Sequence, residues 1–488
     1  MSDTSYLTDV KFNSLPLSKE SLGALTQKMK FTCMTQVQHL TFNLILEGND
    51  VLAKAKTGTG KTVAFLLPSV ENLIKTSSKV VDGNIDILVI SPTRELAFQI
   101  SEEAKNLVSL HCLKVVCVVG GTNIKSDITS LYGKVHVLVG TPGRLIDHIQ
   151  NHGLNQRLSN LKVLVLDECD RLLDMGFRPD IEKIIRSVNK NRQTLLFSAT
   201  TPASMNKFKC IALKENHSVV NTMGDDEEQT NCQTEHFVTV APLEKQIEVL
   251  AYLLSTHIKK VDQYKIIVFF TTARGAGYMA ELFTAAGFTV VEMHSRKNQN
   301  QRTKAADIFR TGNRVIMFSS DVSARGVDYP DVTLVVQVGL TDREQYIHRI
   351  GRTGRAGCSG QGILLAFPDE EITMMNTFLK EFAPTKISIT DQDLENDSGA
   401  TALRQTLNYI RSTKSLRKSG HQAYQAWLGF YNSNLRKLKW TKIKLVEMAN
   451  FYSSTIGLPE PPNIAKKIVS KMGLKGIPGL KIGGGFGH

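Results

Sequence analysis

The chain has 488 residues, 42% hydrophobic and 22% charged, which is enough for two or three domains with cores of their own and excludes a wholly disordered protein. No apolar run approaches the roughly 18 residues a membrane helix needs, so a membrane-spanning chain is not expected. The 59 Lys and Arg against 46 Asp and Glu give a net charge of +13, yet residues 401–488 alone hold 15 basic residues against only Glu447 and Glu460, leaving 44 of each sign in the first 400. The excess therefore belongs to the C-terminal segment, and one-sided charge of this kind points to a polyanionic partner.

Residues 1–20 carry Asp3, Asp9 and Glu20, no Arg and no long apolar core, so neither a secretory signal nor an Arg-rich transit segment is expected. The seven cysteines are scattered without a Cys-x-x-Cys pair, which argues for a soluble protein of a reducing intracellular compartment and against a disulfide framework or zinc site. Between residues 51 and 220, β-rich runs at 86–91, 115–121, 135–141, 163–168 and 193–200 alternate with stretches of helical composition, the pattern of a parallel α/β sheet. The acidic stretch 221–235 has little to bury and reads as a linker. A second set of runs follows at 265–270, 288–293, 314–320 and 333–339, so the fold class is α/β with two tandem parallel-sheet domains, 1–220 and 236–380. Beyond them, 381–475 reads as a mostly helical basic extension and 476–488 as a disordered Gly-rich tail. Trp427 and Trp440, the only tryptophans, stand near Tyr424, Phe430 and Tyr431 at helical spacing, which favours core packing over stacking on bases.

The segment AKTGTGKT, 55–62, follows an apolar run and precedes a helix-like one, the context of a phosphate-binding loop. Thr57, Gly58, Thr59 and Gly60 would turn backbone N–H groups onto phosphate oxygens, Lys61 would reach the β and γ phosphates, and Thr62 would hold Mg²⁺. Ala55 stands where the strict pattern has Gly. The acids of VLVLDECD fall where a buried strand ends: Asp167 is placed to hold the Mg²⁺ shell and Glu168 to orient the attacking water.

With these motifs in order, the sequence resembles the DEAD-box RNA helicases of superfamily 2 over nearly 360 residues, with Cys169 where the name-giving motif has Ala. The resemblance implies two RecA-like domains, ATP and Mg²⁺ as cofactors, and RNA as partner. FTCMTQVQ resembles the adenine-recognition motif, so Phe31 would stack on the base and Thr35 and Gln38 would hydrogen-bond around it. SPTRELA, the Gly120–Gly121 pair and TPGR resemble the RNA-backbone motifs, implying contacts from Arg94, Gly121, Thr141 and Arg144; such contacts carry little sequence information and are salt-sensitive. SAT, 198–200, resembles the coupling element, with Ser198 and Thr200 linking nucleotide state to RNA. In the second half VFFTT, QNQR, SSDVSARGVD and YIHRIGRTGRAG resemble the remaining motifs. They imply RNA contacts from Thr271, Arg302 and Ser320, a ribose contact from Asp328, inter-domain contacts from His348 and Arg349, and arginine fingers from Arg352 and Arg355. Ser295 and Ser320 depart from the usual Gly and Thr.

The expected activity is RNA-dependent ATP hydrolysis that separates short duplexes locally and remodels structured RNA, by a chain expected to act as a monomer. The alternative is an ATP-gated RNA clamp with little turnover, which the presence of Glu168, Arg352 and Arg355 disfavours. The basic extension resembles that of the organellar RNA-chaperone branch, which implies an RNA tether and a mitochondrial or chloroplast setting, with nucleolus or cytoplasm as alternatives.

Overall fold

The structure, a computed structural model, describes residues 7–56, 58–76, 84–200, 203–222, 234–320, 329, 331–354, 360–410 and 413–483. The chain divides into two compact units, Met1–Gln229 and Thr230–His488. No helix among the described residues is long and apolar enough to cross a membrane.

The first unit is built on a seven-stranded parallel sheet in the order Val115–Val118, Val135–Gly140, Ile85–Ile90, Val163–Leu166, Gln193–Ser198, Val51–Lys54, Ser218–Asn221. Its central strands are Val- and Leu-rich and buried throughout, as strands covered by helices on both faces must be. The helix Lys61–Thr76 leaves the strand Val51–Lys54 through the phosphate-loop sequence, and Pro68 lies within it. A small antiparallel pair, Leu7–Lys11 with Cys33–Thr35, braces the start of the helix Gln36–Leu46. Neither strand carries an alternating apolar pattern in the sequence, and this element was not expected from it.

The second unit repeats the plan: Val290–Met293, Val315–Ser319, Lys265–Phe270, Leu334–Val338, Gly360–Ala366, Thr234–Val240 and Thr385–Lys386, all parallel where paired. The last strand lies within the expected helical extension. The remainder is helical, with Ser398–Tyr409 on the helix Gln246–Lys260 and Lys414–Ser433 on the helix Ala273–Ala285. One apolar cluster runs from Val238 in the sheet through Tyr278 and Phe283 to Tyr424, Trp427, Leu428, Tyr452 and Leu474 in the extension. The extension is thus part of the second unit's core. Trp427 stacks on Tyr452 at 5.0 Å, and Trp440 stacks on Phe367 at 5.8 Å while its Nε1 donates to Asp369 at 2.7 Å.

The tail corrects an expectation. Ile477 and Leu480 pack on the core, Gly479 takes φ +81° beside Val446, and Ile482 bridges to Ile464, so residues 476–483 are ordered. Gly at the left-handed positions 476 and 479 shapes closely packed chain over 476–483, where composition alone suggested disorder; residues 484–488 of the tail lie outside the described residues.

Candidate nucleotide and RNA sites

In the first unit the strand Val51–Lys54 ends in a turn at which Gly58 and Gly60 have φ of 80° and 81°, conformations that present successive backbone N–H groups and that favour glycine. Thr59 Oγ1 donates to Lys56 O at 2.8 Å, and the buried Lys61 Nζ donates to Ala55 O at 3.1 Å. Ala55 is fully buried, with its N–H on Ser198 O at 3.0 Å, so the residue that departs from the strict loop pattern is packed between neighbouring strand ends. Thr62 is half-buried on the first turn of the helix. Thr57 lies outside the described residues.

The adenine motif is tied to this loop. Thr35 caps the helix Gln36–Leu46 in a reciprocal capping box: Gln38 N donates to Thr35 Oγ1 at 3.4 Å and Thr35 N to Gln38 Oε1 at 2.9 Å. Gln38 Nε2 donates to Gly60 O at 3.1 Å, and a Cβ on Gly60 would come within 2.5 Å of that nitrogen. Gln38 is therefore less free than a dedicated base reader. Its carboxamide oxygen is committed to Thr35, and it holds the phosphate loop. Phe31, 42% exposed, is open for stacking.

Asp167 and Glu168 follow the strand Val163–Leu166 and are buried, with exposures of 3% and 4%. Glu168 adopts φ 48°, ψ 54°, a left-handed conformation that costs a non-glycine residue about 1 kcal/mol or more and is typical of functional turns. Asp167 Oδ1 and Glu168 Oε2 have no hydrogen-bond partner among the described residues. Burial, reinforced by the Glu168 charge and opposed by Lys61, pushes the Asp167 carboxyl up to about 7. Two unsatisfied buried carboxylate oxygens beside a phosphate loop and a Thr hydroxyl form an all-oxygen donor set that fits Mg²⁺ with its phosphate ligands.

Cys169 is fully buried in the apolar cluster with Leu166, Leu172 and Leu196, and burial drives its thiol far above the ordinary value, so it packs as a small hydrophobe. Asp170 carries the link to the coupling element. Its Oδ2 accepts from Thr200 N at 3.0 Å and Thr200 Oγ1 at 2.9 Å, its N–H donates to Ser198 Oγ at 3.3 Å, and Ser198 Oγ donates to Thr200 O at 2.7 Å. Sequence reasoning singled out Ser198 and Thr200 and missed Asp170, although its place in the acidic motif was the available signal.

The expected RNA residues of the first unit converge on one set of loops. The Arg94 guanidinium lies under Gly120 and Gly121, and any side chain on Gly121, φ +84°, would collide with it. Thr141 Oγ1 accepts from Gly120 N at 3.4 Å. Arg144 is turned inward: Nη1 donates to Asp127 at 2.7 Å and Nη2 to Thr122 O at 2.8 Å, with His148 at 3.4 Å from the same carboxylate. In this conformation Arg144 braces the Gly121–Thr122 turn and does not present a free phosphate ligand. Asp127, its buried partner, was not anticipated.

In the second unit Arg302 is buried on the helix Gln299–Thr311, and Ser320 N donates to Met293 O at 3.4 Å. His294 is buried nearby, and burial above all, with smaller contributions from Arg274, Arg302 and Arg296, lowers its pKa to about 4. Arg274 and Arg296 add cations that the motifs did not single out. Thr271 follows the strand Lys265–Phe270 and lies against Gly339. The helix Arg343–Ile350 carries His348 and Arg349, both buried; Arg349 sits 5.4 Å over the Phe269 ring, and Arg352 Nε donates to His348 O at 3.3 Å. Asp328 and Arg355 lie outside the described residues.

Comparison with known proteins agrees with this layout. The family model described as DEAD/DEAH box helicase matches residues 35–208, and that described as Helicase conserved C-terminal domain matches 245–357. DEAD-box ATP-dependent RNA helicase 25 of Oryza sativa subsp. japonica is 46% identical over 486 residues, covering 98% of this chain and 80% of that protein. Helicase 26 of the same species is 47% identical over 481 residues, 98% of this chain and 87% of that protein. Among solved structures, Mss116p bound to ssRNA and AMP-PNP aligns with a TM-score of 0.81 at 28% identity over 96% of each chain. S. cerevisiae Dbp5 bound to RNA and ADP BeF3 aligns at 0.67 and 26% over 81% of this chain and 99% of that one. With near full-length relatives and a phosphate loop, acidic motif and coupling network assembled on one parallel sheet, the chain belongs to the DEAD-box ATP-dependent RNA helicases.

Proposed function

We propose that this DEAD-box ATP-dependent RNA helicase hydrolyses ATP in response to RNA and separates short duplexes locally, remodelling structured RNA without long processive tracking. The observation that carries the reading is the unbroken hydrogen-bonded path in the first unit. It runs from Gln38 through Gly60 to the phosphate loop, from Ala55 to Ser198, and from Ser198 and Thr200 to Asp170 beside the catalytic acids.

The chain's own groups divide the work. Backbone N–H groups around Gly58 to Lys61 bind phosphate oxygens, and the Lys61 ammonium, now on Ala55 O, is placed to exchange that carbonyl for a phosphate. Phe31 offers a stacking face, while Gln38 senses whether the loop beneath it is filled. Thr62 and Asp167 would hold Mg²⁺, which when bound supplies positive charge against the phosphate oxygens. Glu168, with one carboxylate oxygen unsatisfied, orients water and accepts its proton. Arg352, with Arg355, is assigned to the γ-phosphate, where guanidinium groups offset the charge that develops on phosphoryl transfer. Arg94, Gly121 and Thr141 in the first unit and Thr271, Arg302 and Ser320 in the second are assigned to the RNA backbone, joined by Arg274 and Arg296. Two structural relatives hold RNA together with AMP-PNP or with ADP BeF3, which supports a state in which both ligands are bound at once.

The extension is assigned a tether role. Arg436, Lys437, Lys439, Lys466, Lys467, Lys471 and Lys475 lie on its surface, a density of cations suited to structured RNA. Duplex separation by the purified chain tests the reading. ATP-dependent release of a short RNA strand, abolished by Glu168→Gln, is expected; ATP-dependent RNA retention without turnover would instead make it a clamp.

A further inference from the structure

The extension does more in this structure than display cations. Glu370 is wholly buried at the start of the helix Pro368–Met375, and its two oxygens gather three elements. Oε2 accepts from Phe367 N at 3.1 Å. Oε1 accepts from Leu340 N at 2.7 Å and also from the Tyr431 hydroxyl of the extension helix Lys414–Ser433. Gly339 completes the junction with φ +88°; a Cβ there would come within 2.8 Å of Thr271 Cγ2 and within 3.3 Å of both Glu370 Oε1 and the Tyr431 oxygen. No side chain larger than hydrogen fits.

What this junction holds is the entry to the arginine-bearing helix. From Leu340 the chain runs two residues to Asp342, whose side chain caps the helix Arg343–Ile350 by accepting from Gln345 N at 2.9 Å. That helix carries His348 and Arg349 and leads into Arg352. A short helix is a rigid rod with about 1.5 Å of rise per residue, so a displacement of its first turn is carried to its last. On the other side of Gly339, Thr271 is one of the residues assigned to RNA. The extension's Tyr431 therefore touches a carboxylate that holds the start of the arginine helix, at a junction that Thr271 packs against through Gly339.

We infer that Tyr431 and Glu370 are positioning residues for ATP hydrolysis, through which the docked extension sets the placement of Arg349 and Arg352. The inference rests on the proposed RNA-dependent ATPase and gives the extension a role distinct from tethering: tethering depends on its exposed cations, whereas this role depends on one buried hydroxyl. The groups that face Glu370 are Tyr431 from the extension and the neighbouring Asp369, which is itself held by Lys444 and Trp440.

The test is steady-state ATP hydrolysis by the full chain with polyuridylate, comparing wild type, Tyr431→Phe and Glu370→Gln. Tyr431→Phe keeps the ring and its packing and removes one hydroxyl. It is expected to lower kcat by about tenfold at saturating ATP and RNA, since misplacement of a reactive group by about 1 Å can cost up to about a hundredfold. The KM for ATP, the RNA concentration for half-maximal stimulation and its salt dependence are expected to stay within about twofold. Glu370→Gln keeps an oxygen that can accept from Leu340 and Tyr431, and is expected to retain more activity than Glu370→Ala. An unchanged kcat in Tyr431→Phe, or a change confined to RNA affinity, overturns the inference. If Tyr431→Phe melts below the assay temperature, the double variant Tyr431→Phe/Glu370→Gln, which removes the buried charge with the hydroxyl, carries the same kcat test. Failure of wild type to respond to RNA would contradict the parent reading and not this one.

Discussion

At the scale of single residues, the proposed roles separate the groups that bind nucleotide from the groups that act on it. Lys61 supplies a charge-assisted contact, so Lys61→Ala is expected to weaken ATP binding by about tenfold to a hundredfold, measured by titration of a fluorescent ATP analogue. Glu168→Gln removes a base but not a phosphate ligand. It is expected to keep ATP-dependent RNA binding while hydrolysis falls by about 10²- to 10⁴-fold, and equal loss of RNA binding in both variants would contradict the assigned roles. These residues were legible in the sequence because their spacing is set by one turn between a strand and a helix. The roles of Asp170 and Asp127, and the hold of Gln38 on Gly60, were not, because they depend on side chains meeting across separations of 17 to 30 positions. Arg144 shows the same limit: its residue type announces a phosphate ligand, while its surroundings turn it onto a carboxylate.

At the scale of elements, the acidic motif and the coupling element behave as one hydrogen-bonded piece. Asp170→Ala would remove the acceptor for two donors of Thr200 and is expected to reduce strand separation more than ATP hydrolysis, measured in parallel on one preparation. The extension helices behave as core. Trp427→Ala is expected to lower stability by about 3–5 kcal/mol, read as a shift in the unfolding midpoint of the second unit, because it removes a buried ring from the stack with Tyr452. The parallel strands were legible from their unbroken Val, Ile and Leu runs, and the extension helices from the spacing of their aromatic residues. The pair Leu7–Lys11 with Cys33–Thr35 and the strand Thr385–Lys386 were not legible. Each is short and polar enough that its pairing partner, and not its own composition, makes it a strand.

At the scale of the whole molecule, composition correctly located the basic excess, but it suggested a module apart where the structure has a shared core. Deleting residues 401–488 would expose the face formed by Tyr278, Leu282 and their neighbours, so the tether is better tested by surface charge. Replacing the exposed Lys466, Lys467 and Lys471 with Gln is expected to weaken RNA binding and to flatten its log–log salt slope by about 0.7 for each phosphate no longer neutralised, measured by anisotropy of a labelled single strand. Docking of the extension also leaves a mark on stability. Burial, partly opposed by hydrogen bonds from Tyr431, Phe367 and Leu340, lifts the Glu370 carboxyl from 4.5 to about 7. Between those values the folded chain holds a proton that the unfolded chain has released. This group's contribution is therefore full below about pH 4.5 and declines as pH rises to about 7, and Glu370→Gln is expected to remove that part of the slope in unfolding measurements. The central claim, that RNA drives ATP hydrolysis on these motifs, is tested most directly by steady-state hydrolysis with and without single-stranded RNA, with DNA of the same sequence and Glu168→Gln as controls. Stimulation by RNA, little by DNA, and none in the variant is the predicted result; hydrolysis indifferent to RNA, or persisting in Glu168→Gln, would contradict the claim.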